Sequence, residues 1–261
     1  MRYRKLGRTD LRVSEIGFGT QTIGGPTLLG KKQVGWGCTD DKTSLAALHA
    51  CLDHGVTFID TADVYGWGHA ETLVGKAFKH HRDRLVIATK AGYRVGQNGG
   101  GFKDYSPGYL KQAVEASLRR LRTDYIDLFQ LHSVPDDFEI PEQSLEALEG
   151  LREAGKIRYY GASMAKLEMG IPMVEATQIY AIQVEYNLLH EAPARALSPK
   201  ALERGVGLVV KAPLGTGFLC GKYREPGMRF PADDIRSNMP QAEVIERTFL
   251  PTLFRTWGGA I

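Results

Sequence analysis

The stretch LVIATK, residues 85–90, is an almost continuous run of apolar, β-prone residues that ends in a lysine. A strand that is covered on both faces has this composition, whereas a strand with one face in water alternates apolar and polar residues. Burial of both faces is typical of parallel sheets that carry helices on their surfaces. The stretch therefore predicts a buried strand of a parallel sheet, with its charged residue at the carboxyl end.

Six other short runs of this kind end at polar residues or glycine: SEIGFG (14–19), VTFID (56–60), IDLFQLH (126–132), IRYYGAS (157–163), AIQVEYN (181–187) and VGLVVKAP (206–213). Segments with apolar residues at helical spacing lie between them, and two of these close on Gly55 and Gly155. Such alternation predicts parallel strands joined by helical crossovers. Since no GxGxxG follows a first strand, an α/β fold of the TIM-type (β/α)8 barrel is favoured over a doubly wound sheet. We expect one barrel domain over residues 1–261, with a β-hairpin in YRKLGRTDLRV (3–13) before it.

Composition and charge exclude several classes of protein. The chain has 261 residues, 43% of them hydrophobic, and a net charge of +3, which predicts a globular protein without a nucleic-acid-binding stripe. Three cysteines fit neither a disulfide framework nor a CxxC metal site. A charged N-terminal stretch and the absence of a run of ~20 apolar residues predict neither a signal peptide nor a membrane span. We therefore expect a cytoplasmic protein.

Titratable side chains lie at or just after the ends of three successive runs. Asp60 ends the second run and Tyr65 follows it, Lys90 ends the third and His132 ends the fourth. In a barrel, the carboxyl ends of the strands form one rim, so these four side chains should meet there. An ammonium favours a nearby phenolate, a carboxylate compensates a lysine in a pocket, and a histidine can orient a substrate oxygen. The combination indicates proton transfer to or from an oxygen atom.

These motifs resemble the aldo-keto reductase family over most of the chain, through RKLGRTDLRVSEIGFGT, FIDTADVYG, IATKAG, YIDLFQLH, IRYYGAS, IQVEYN and APLGTGFLCGKY. The resemblance implies a (β/α)8 barrel that transfers a hydride between NADP(H) and a carbonyl or alcohol substrate such as an aldehyde, ketone or sugar. It also implies that Tyr65 is the general acid, that Lys90 lowers the pKa of Tyr65, that Asp60 pairs with Lys90, and that His132 positions the carbonyl.

The resemblance further implies a set of cofactor-binding residues. Gly19 and Thr20 match the strand end beside the nicotinamide and ribose, Ser163 and Gln183 match the groups that hold the carboxamide, and Lys222 matches a phosphate contact. Asp60 belongs to this set as well. The loop along the pyrophosphate, where glycines let backbone N–H groups approach an anion, supplies the remainder: Lys211, Pro213, Leu214, Gly215, Thr216 and Gly217.

The chain departs from the family's pattern at three places. Met164 follows Ser163 where many members have Asn or Arg, and Lys211 stands where many have an aromatic residue that stacks on the nicotinamide. The C-terminal stretch FLPTLFRTWGGAI (249–261) contains neither the expected eighth strand nor a 2′-phosphate-binding helix. We therefore expect the eighth βα unit to be missing or altered, and a seven-stranded barrel leaves two strand edges to be covered.

Each residue also has an ordinary interpretation. Asp60 could cap the next turn, Tyr65 could be a packing residue, and Lys90 and His132 could be solvated strand-end residues. Their joint placement on strand ends favours the catalytic interpretation. The other histidines lack HxxxH spacing, so no metal is expected. The glycine-rich segment GQNGGGF (96–102) predicts a flexible loop near the site. Two alternatives stay open: a cofactor-sensing regulatory subunit with little turnover, and a shortened chain that binds NADP(H) weakly.

Overall fold

The structure is a computed structural model that describes residues 1–135, 140–164, 170–176, 178–223, 228–240 and 244. The strands in this part of the chain are β1 (Tyr3–Lys5), β2 (Arg12–Ser14), β3 (Gly17–Gly19), β4 (Leu28–Leu29), β5 (Lys32–Gln33), β6 (Phe58–Asp60), β7 (Val86–Ala91), β8 (Tyr93–Val95), β9 (Gly101–Lys103), β10 (Ile126–Val134), β11 (Ile157–Met164), β12 (Ala181–Glu185) and β13 (Gly207–Lys211). The α-helices are α1 (Asp41–Asp53), α2 (His69–Ala77), α3 (Pro107–Leu121), α4 (Glu142–Glu153), α5 (Gly170–Ala176) and α6 (Ala192–Glu203).

All seven predicted strand runs enter one parallel sheet. Its order is β13-β12-β11-β10-β7-β6-β3, so each strand lies beside the next strand of the series along the chain. Helices connect the successive strands, as parallel pairing requires. Side chains of the sheet and the helices together form the larger hydrophobic cluster, which includes Leu48, Val74, Leu110, Phe129 and Leu148. The predicted α/β architecture is confirmed.

The predicted N-terminal hairpin, β1 and β2, covers the amino-terminal end of the sheet. Its side chains Leu6, Leu11 and Val13 share a second hydrophobic cluster with residues of strands β6 to β13, among them Phe58 and Val209. One small hairpin reaches both ends of the seven-stranded sheet because the sheet is curled around this cluster.

The hairpin approaches β13 very closely. Gly7 has φ +54°, and a Cβ atom built on it would lie 2.4 Å from the backbone nitrogen of Gly207. The backbone N–H of Arg8 donates to the carbonyl of Gly205 at 2.6 Å. Glycine is thus required at position 7 by both the left-handed conformation and the close approach.

Helices α1 and α3 begin at side chains that cap their first turns. The Asp40 side chain accepts a hydrogen bond from the backbone N–H of Thr43 at the start of α1. Ser106 caps α3 in the same way, with Pro107 in the first turn. The predicted glycines Gly55 and Gly155 follow α1 and α4 with φ of +75° and +70°, as expected for left-handed residues at helix ends.

Two antiparallel hairpins lie beyond the carboxyl ends of the strands. One consists of β4 and β5, the other of β8 and β9. The prediction of a loop over residues 96–102 is wrong in part, because residues 101–103 form β9 and pair with β8. The hairpins contact each other, since a Cβ on Gly101 would meet the Leu29 side chain at 2.5 Å.

The expectation about the eighth βα unit concerns residues 249–261, which lie outside the described residues. Among the described helices, none combines the length and apolar character that crossing a membrane requires.

Candidate active site

Side chains along a strand alternate between the two faces of the sheet, and this alternation places the polar residues of the site. In β7 the residues Val86 and Ala88 belong to the hairpin-side cluster, and Lys90 is the next residue on that face. Phe58 precedes Asp60 in β6 by the same spacing, and Leu128 stands two positions before Gln130 in β10. The inner face of the sheet therefore changes from apolar to polar toward the carboxyl ends of the strands.

Lys90 lies at the centre of the predicted catalytic group. Its Nζ is 2.6 Å from Oδ1 of Asp60, 2.8 Å from the carbonyl oxygen of Thr61 and 3.5 Å from the Tyr65 hydroxyl. The lysine side chain is fully buried, and its partners come from β6 and the turn that follows it. The chain thus brings together the carboxylate, ammonium and phenol that the sequence predicted.

Burial and charge act against each other on these groups. Burial raises the pKa of Tyr65, and the Lys90 ammonium opposes this without overcoming it, so the pKa of Tyr65 lies above its ordinary value. Burial alone would lower the pKa of Lys90, but the Asp60 carboxylate and the Tyr65 phenol raise it. Lys90 lowers the pKa of Tyr65 as expected, yet desolvation is the larger effect. At neutral pH the phenol is protonated and the lysine is charged.

His132 faces Tyr65 across the mouth of the sheet. The two rings are 5.7 Å apart in an edge-to-face arrangement, and the ring of Tyr93 contacts His132 from the other side at 4.9 Å. Burial, followed by repulsion from Lys90 and two further lysines, lowers the pKa of His132 well below its usual value. The imidazole is therefore neutral. Its buried Nδ1 atom has no partner among the described residues.

The two residues predicted to hold a carboxamide lie opposite each other. Ser163 of β11 pairs in register with Gln183 of β12, and both are buried. The Gln183 amide donates to Oδ2 of Asp60 at 3.0 Å. Asp60 therefore connects Gln183 to Lys90.

The remaining predicted cofactor residues border the same carboxyl edge. Gly19 ends β3, and a Cβ built on it would meet nothing within 4 Å. The buried hydroxyl of Thr20 has no partner among the described residues. In the segment that follows β13 (Ala212–Pro213–Leu214) and continues through a 3₁₀ turn, Gly215, Thr216 and Gly217 are left-handed, with φ of +55°, +55° and +95°.

The N–H groups of Gly215 and Gly217 donate to the carbonyls of Ala212 and Leu214 within this turn. The open space at Gly19 and the hydroxyl of Thr20, which has no partner among the described residues, leave room and a donor for a ligand. The residues present therefore fit a dinucleotide. Pro213, Leu214 and Lys222 are exposed at this edge, while Lys211 donates from Nζ to the carbonyl oxygen of Met164 at 2.6 Å.

The sequence model of the Aldo/keto reductase family matches residues 15–253. That range includes the hydrogen-bonded group of Asp60, Tyr65 and Lys90, the neighbouring His132, and the whole parallel sheet. The chain belongs to the Aldo/keto reductase family. It is thus a member of a family of oxidoreductases.

Other aldo-keto reductases share both the sequence and the fold. Aldo-keto reductase YhdN of Bacillus subtilis is 36% identical over 243 residues, which cover 92% of this chain and 70% of YhdN. The holo form of aldo-keto reductase AKR11C1 from Bacillus halodurans superposes with a TM-score of 0.75 at 37% identity, covering 89% of this chain and 73% of that one. Glycerol dehydrogenase AKR11B4 from Gluconobacter oxydans gives a TM-score of 0.77 at 33% identity, covering 97% and 76%.

Relatives differ in the cofactor that their names carry. Aldo-keto reductase yakc [NADP(+)] of Schizosaccharomyces pombe is 33% identical over 244 residues, or 91% of this chain and 68% of the relative. NADH-specific methylglyoxal reductase of Escherichia coli is 33% identical over 231 residues, or 83% of this chain and 68% of the relative. Family membership therefore establishes an oxidoreductase without fixing which nicotinamide cofactor this chain uses.

The structure adds residues to this aldo/keto reductase site that sequence reasoning missed. The fully buried Gln130 lies two residues before His132 on the same face and approaches Asp60 Oδ2 at 3.5 Å. The period of two along β10 is the signal that could have revealed it. Lys103 of β9 donates to the carbonyl oxygen of His132 at 2.7 Å. Nothing in the glycine-rich sequence before Lys103 indicated that contact.

Proposed function

We propose that this chain is an NADP(H)-dependent oxidoreductase that interconverts a carbonyl substrate and its alcohol, with Tyr65 as the general acid and base. The observation that carries the proposal is the buried Lys90, which contacts the Asp60 carboxylate and the Tyr65 hydroxyl together. A structural lysine has no need of a phenol beside its ion pair. For proton transfer at Tyr65, the contact with Tyr65 lets Lys90 stabilise the phenolate, and the contact with Asp60 keeps Lys90 charged.

In the direction of reduction, the Tyr65 hydroxyl donates its proton to the carbonyl oxygen of the substrate. The raised pKa of Tyr65 keeps this proton on the phenol until charge develops on the oxygen. The phenolate that forms is then stabilised by the adjacent Lys90 ammonium. Asp60 keeps Lys90 charged and fixes its position through the 2.6 Å contact.

His132 orients the substrate oxygen. A neutral imidazole can donate one hydrogen bond to this oxygen without competing with Tyr65 as an acid. Its lowered pKa provides that neutral form, and the 5.7 Å between its ring and that of Tyr65 supports a substrate oxygen shared by both groups. In this proposal Tyr65 donates the proton that converts the carbonyl to the alcohol, and His132 orients the carbonyl oxygen toward Tyr65.

The nicotinamide supplies or accepts the hydride when it is bound. Ser163 and Gln183 would hold its carboxamide, Gly19 and Thr20 would lie beside the ring and ribose, and the left-handed turn at Gly215–Gly217 would face the pyrophosphate. Lys222 would contact a phosphate. The proposal of NADP(H) follows the family resemblance and the relative named for NADP(+), and NADH is the competing cofactor because another relative is named for it.

A regulatory subunit with little turnover is not favoured by any relative described above, all of which are named as reductases or dehydrogenases. The intact contact between Lys90 and Tyr65 also argues for turnover.

The decisive variant is Tyr65→Phe. We expect it to lower kcat for reduction of an aldehyde panel by at least about 100-fold, because general acid catalysis contributes on that order. Steady-state oxidation of NADPH and, in parallel, of NADH measures the loss and the cofactor preference. Fluorescence titration with NADPH should give nearly the same Kd for variant and wild type, since the hydroxyl is not a cofactor contact in this proposal.

Tyr3→Phe is the matched control, because Tyr3 lies in the N-terminal hairpin and its hydroxyl donates to the Gly55 carbonyl. It should retain full turnover. Equal turnover in wild type and Tyr65→Phe would remove Tyr65 from the role of acid. A wild type that oxidises only one equivalent of either cofactor would instead support the sensing role.

A further inference from the structure

Lys103 lies beside the proposed active site and forms no ion pair with the carboxylates of the described residues. Its Nζ donates to the carbonyl oxygen of His132 at 2.7 Å and lies 2.9 Å from the centroid of the Tyr93 ring. That ring contacts the imidazole of His132 at 4.9 Å. The ammonium of Lys103 is therefore one aromatic ring away from the residue proposed to orient the substrate oxygen.

Lys211 approaches the same region from β13. Its Nζ donates to the carbonyl oxygen of Met164 at 2.6 Å. Met164 pairs in register with Val134 of β10, two residues beyond His132. Both lysines are thus tied to backbone carbonyls of the adjacent strands β10 and β11 at the carboxyl edge.

Neither Lys103 nor Lys211 forms an ion pair with a carboxylate in the described part of the chain. An ammonium group has three donors, and the hydrogen bond to a carbonyl uses one of them. Burial, together with repulsion from Lys211, lowers the pKa of Lys103 to about 7. Burial and repulsion from Lys90 lower the pKa of Lys211 to about 8.

The carboxylates that face these lysines do not neutralise them. Asp63 acts on Lys103, but burial and the nearby Glu71 raise the pKa of Asp63 itself to about 7. Asp60 and Glu185 act on Lys211, and Asp60 is already held by Lys90. The positive charges of Lys90, Lys103 and Lys211 also act on His132, whose pKa they lower further below its usual value after burial.

We propose that Lys103 and Lys211 form an anion subsite that holds a carboxylate or phosphate group on the carbonyl substrate. The inference rests on the proposed function, whose substrate class it names: a short aldehyde or ketone with an anionic oxygen group at its far end. The carbonyl lies at Tyr65 and His132, and the anionic group accepts hydrogen bonds from the free donors of the two lysines. Binding of the anion relieves the repulsion between them.

The position of Lys103 favours a substrate group over the phosphates of the cofactor. Lys103 belongs to the β8–β9 hairpin that follows β7, and it contacts Tyr93 and His132. Lys211 ends β13 just before the glycine turn proposed for the pyrophosphate, but its Nζ is held at the carbonyl of Met164 in β11, the strand next to β10.

The test compares neutral and anionic aldehydes of matched chain. Butanal is paired with 4-oxobutanoate, and glyceraldehyde with glyceraldehyde 3-phosphate, so that the two pairs distinguish carboxylate from phosphate. We expect the wild type to prefer the anionic member of at least one pair by about tenfold or more in kcat/KM, the effect of one or two charged hydrogen bonds. Lys103→Met should lower this anionic-to-neutral ratio by about tenfold, and Lys103→Arg should keep most of it.

Lys111→Met is the control for general loss of charge, because Lys111 is exposed on α3, and it should leave the ratio unchanged. The proposal is overturned if neither anionic aldehyde is preferred, or if Lys103→Met weakens cofactor binding in a fluorescence titration while the ratio stays constant. If the enzyme reduces aldehydes but does not prefer the anionic ones, the anion subsite is ruled out and the proposed function stands. Absence of turnover with every aldehyde removes the proposed function, and the substrate class with it.

Discussion

At the scale of single residues, Asp60 has two predicted roles, as the partner of Lys90 and as a member of the cofactor-binding set, and its two carboxylate oxygens have different partners. Its Oδ1 accepts from Lys90 and its Oδ2 accepts from Gln183. The position of the lysine and the position of a proposed carboxamide-binding residue are thus set by one side chain.

Asp63 occupies the same turn but has a different environment. Its Oδ2 accepts from the Tyr109 hydroxyl at 3.1 Å, and its buried Oδ1 has no partner among the described residues. Burial, then repulsion from Glu71, raises the pKa of Asp63 to about 7. Ionisation of this carboxyl therefore opposes folding.

We expect Asp63→Asn to stabilise the protein at pH 8 and to have little effect at pH 4. An unfolded aspartate has a pKa near ~3.9, so between that value and about 7 the folded state binds more protons and loses stability as pH rises. The asparagine removes this loss, and each unit of pKa shift corresponds to about 1.4 kcal/mol. Urea unfolding of both proteins from pH 4 to 8 measures the difference in free energy of unfolding.

Asp124→Asn, at an exposed aspartate in the bend that follows α3, is the control and should show no comparable pH trend. If the free-energy difference between Asp63→Asn and wild type is constant with pH, the carboxyl of Asp63 ionises as freely in the folded chain as in the unfolded one.

At the scale of elements, α2 and α3 pack against each other at a glycine. A Cβ built on Gly75 would lie 2.4 Å from the carbonyl oxygen of Arg120 and 2.6 Å from the carbonyl carbon of Leu121. Both obstacles are backbone atoms, which cannot move away as a flexible side chain could. The absence of a side chain at position 75 therefore sets the distance between the two helices.

Two glycine-to-alanine substitutions within helices should have opposite signs. Gly75→Ala should lower the free energy of unfolding by about 1 to 3 kcal/mol, because the added methyl forces the backbones apart. Gly150→Ala in α4 should raise it by about 0.5 to 1 kcal/mol, since nothing lies within 4 Å of that Cβ and alanine is the better helix former. Thermal and denaturant unfolding of the two variants provides the comparison, and stabilisation by Gly75→Ala would contradict the close approach.

The elements differ in how far the sequence predicted them. Strands β7 and β10 and helices α1, α3 and α4 carry strong local signals, in apolar runs, helical spacing and glycine or serine at their ends, and they form as expected. The strand β9 carries no such signal, since it begins in a glycine-rich run. It forms because β8 lies beside it and Leu29 packs on Gly101, and both are contacts made after the chain has folded.

At the scale of the whole molecule, the N-terminal hairpin closes the amino-terminal end of the curled sheet. Leu11 is 1% exposed and packs in the same cluster as Leu128 and Val209. The proposed catalytic group lies at the opposite end of the strands. Stability and the proposed chemistry are thus located at different ends of the sheet, as in other barrels.

Leu11→Ala should lower the free energy of unfolding by about 2 to 4 kcal/mol, the range for removing a buried leucine and leaving a cavity. Leu202→Ala, at a position 83% exposed, should change it by about 0.5 kcal/mol or less. Denaturant unfolding measures both. Folded Leu11→Ala should keep the turnover of the wild type per molecule, and a loss of kcat at low temperature would show that the two ends are coupled.

The sequence by itself determined the order of strands and helices and the parallel sheet, because local periodicity specifies them. It also predicted the four residues of the proposed catalytic group, through motifs at strand ends. The tertiary structure decided what surrounds that group: Gln130 beside Asp60, Lys103 on the carbonyl of His132, and burial that outweighs the effect of Lys90 on the pKa of Tyr65. These depend on which distant residues become neighbours when the sheet curls. Desolvation and repulsion are properties of that assembled neighbourhood, so no local pattern in the chain could specify them.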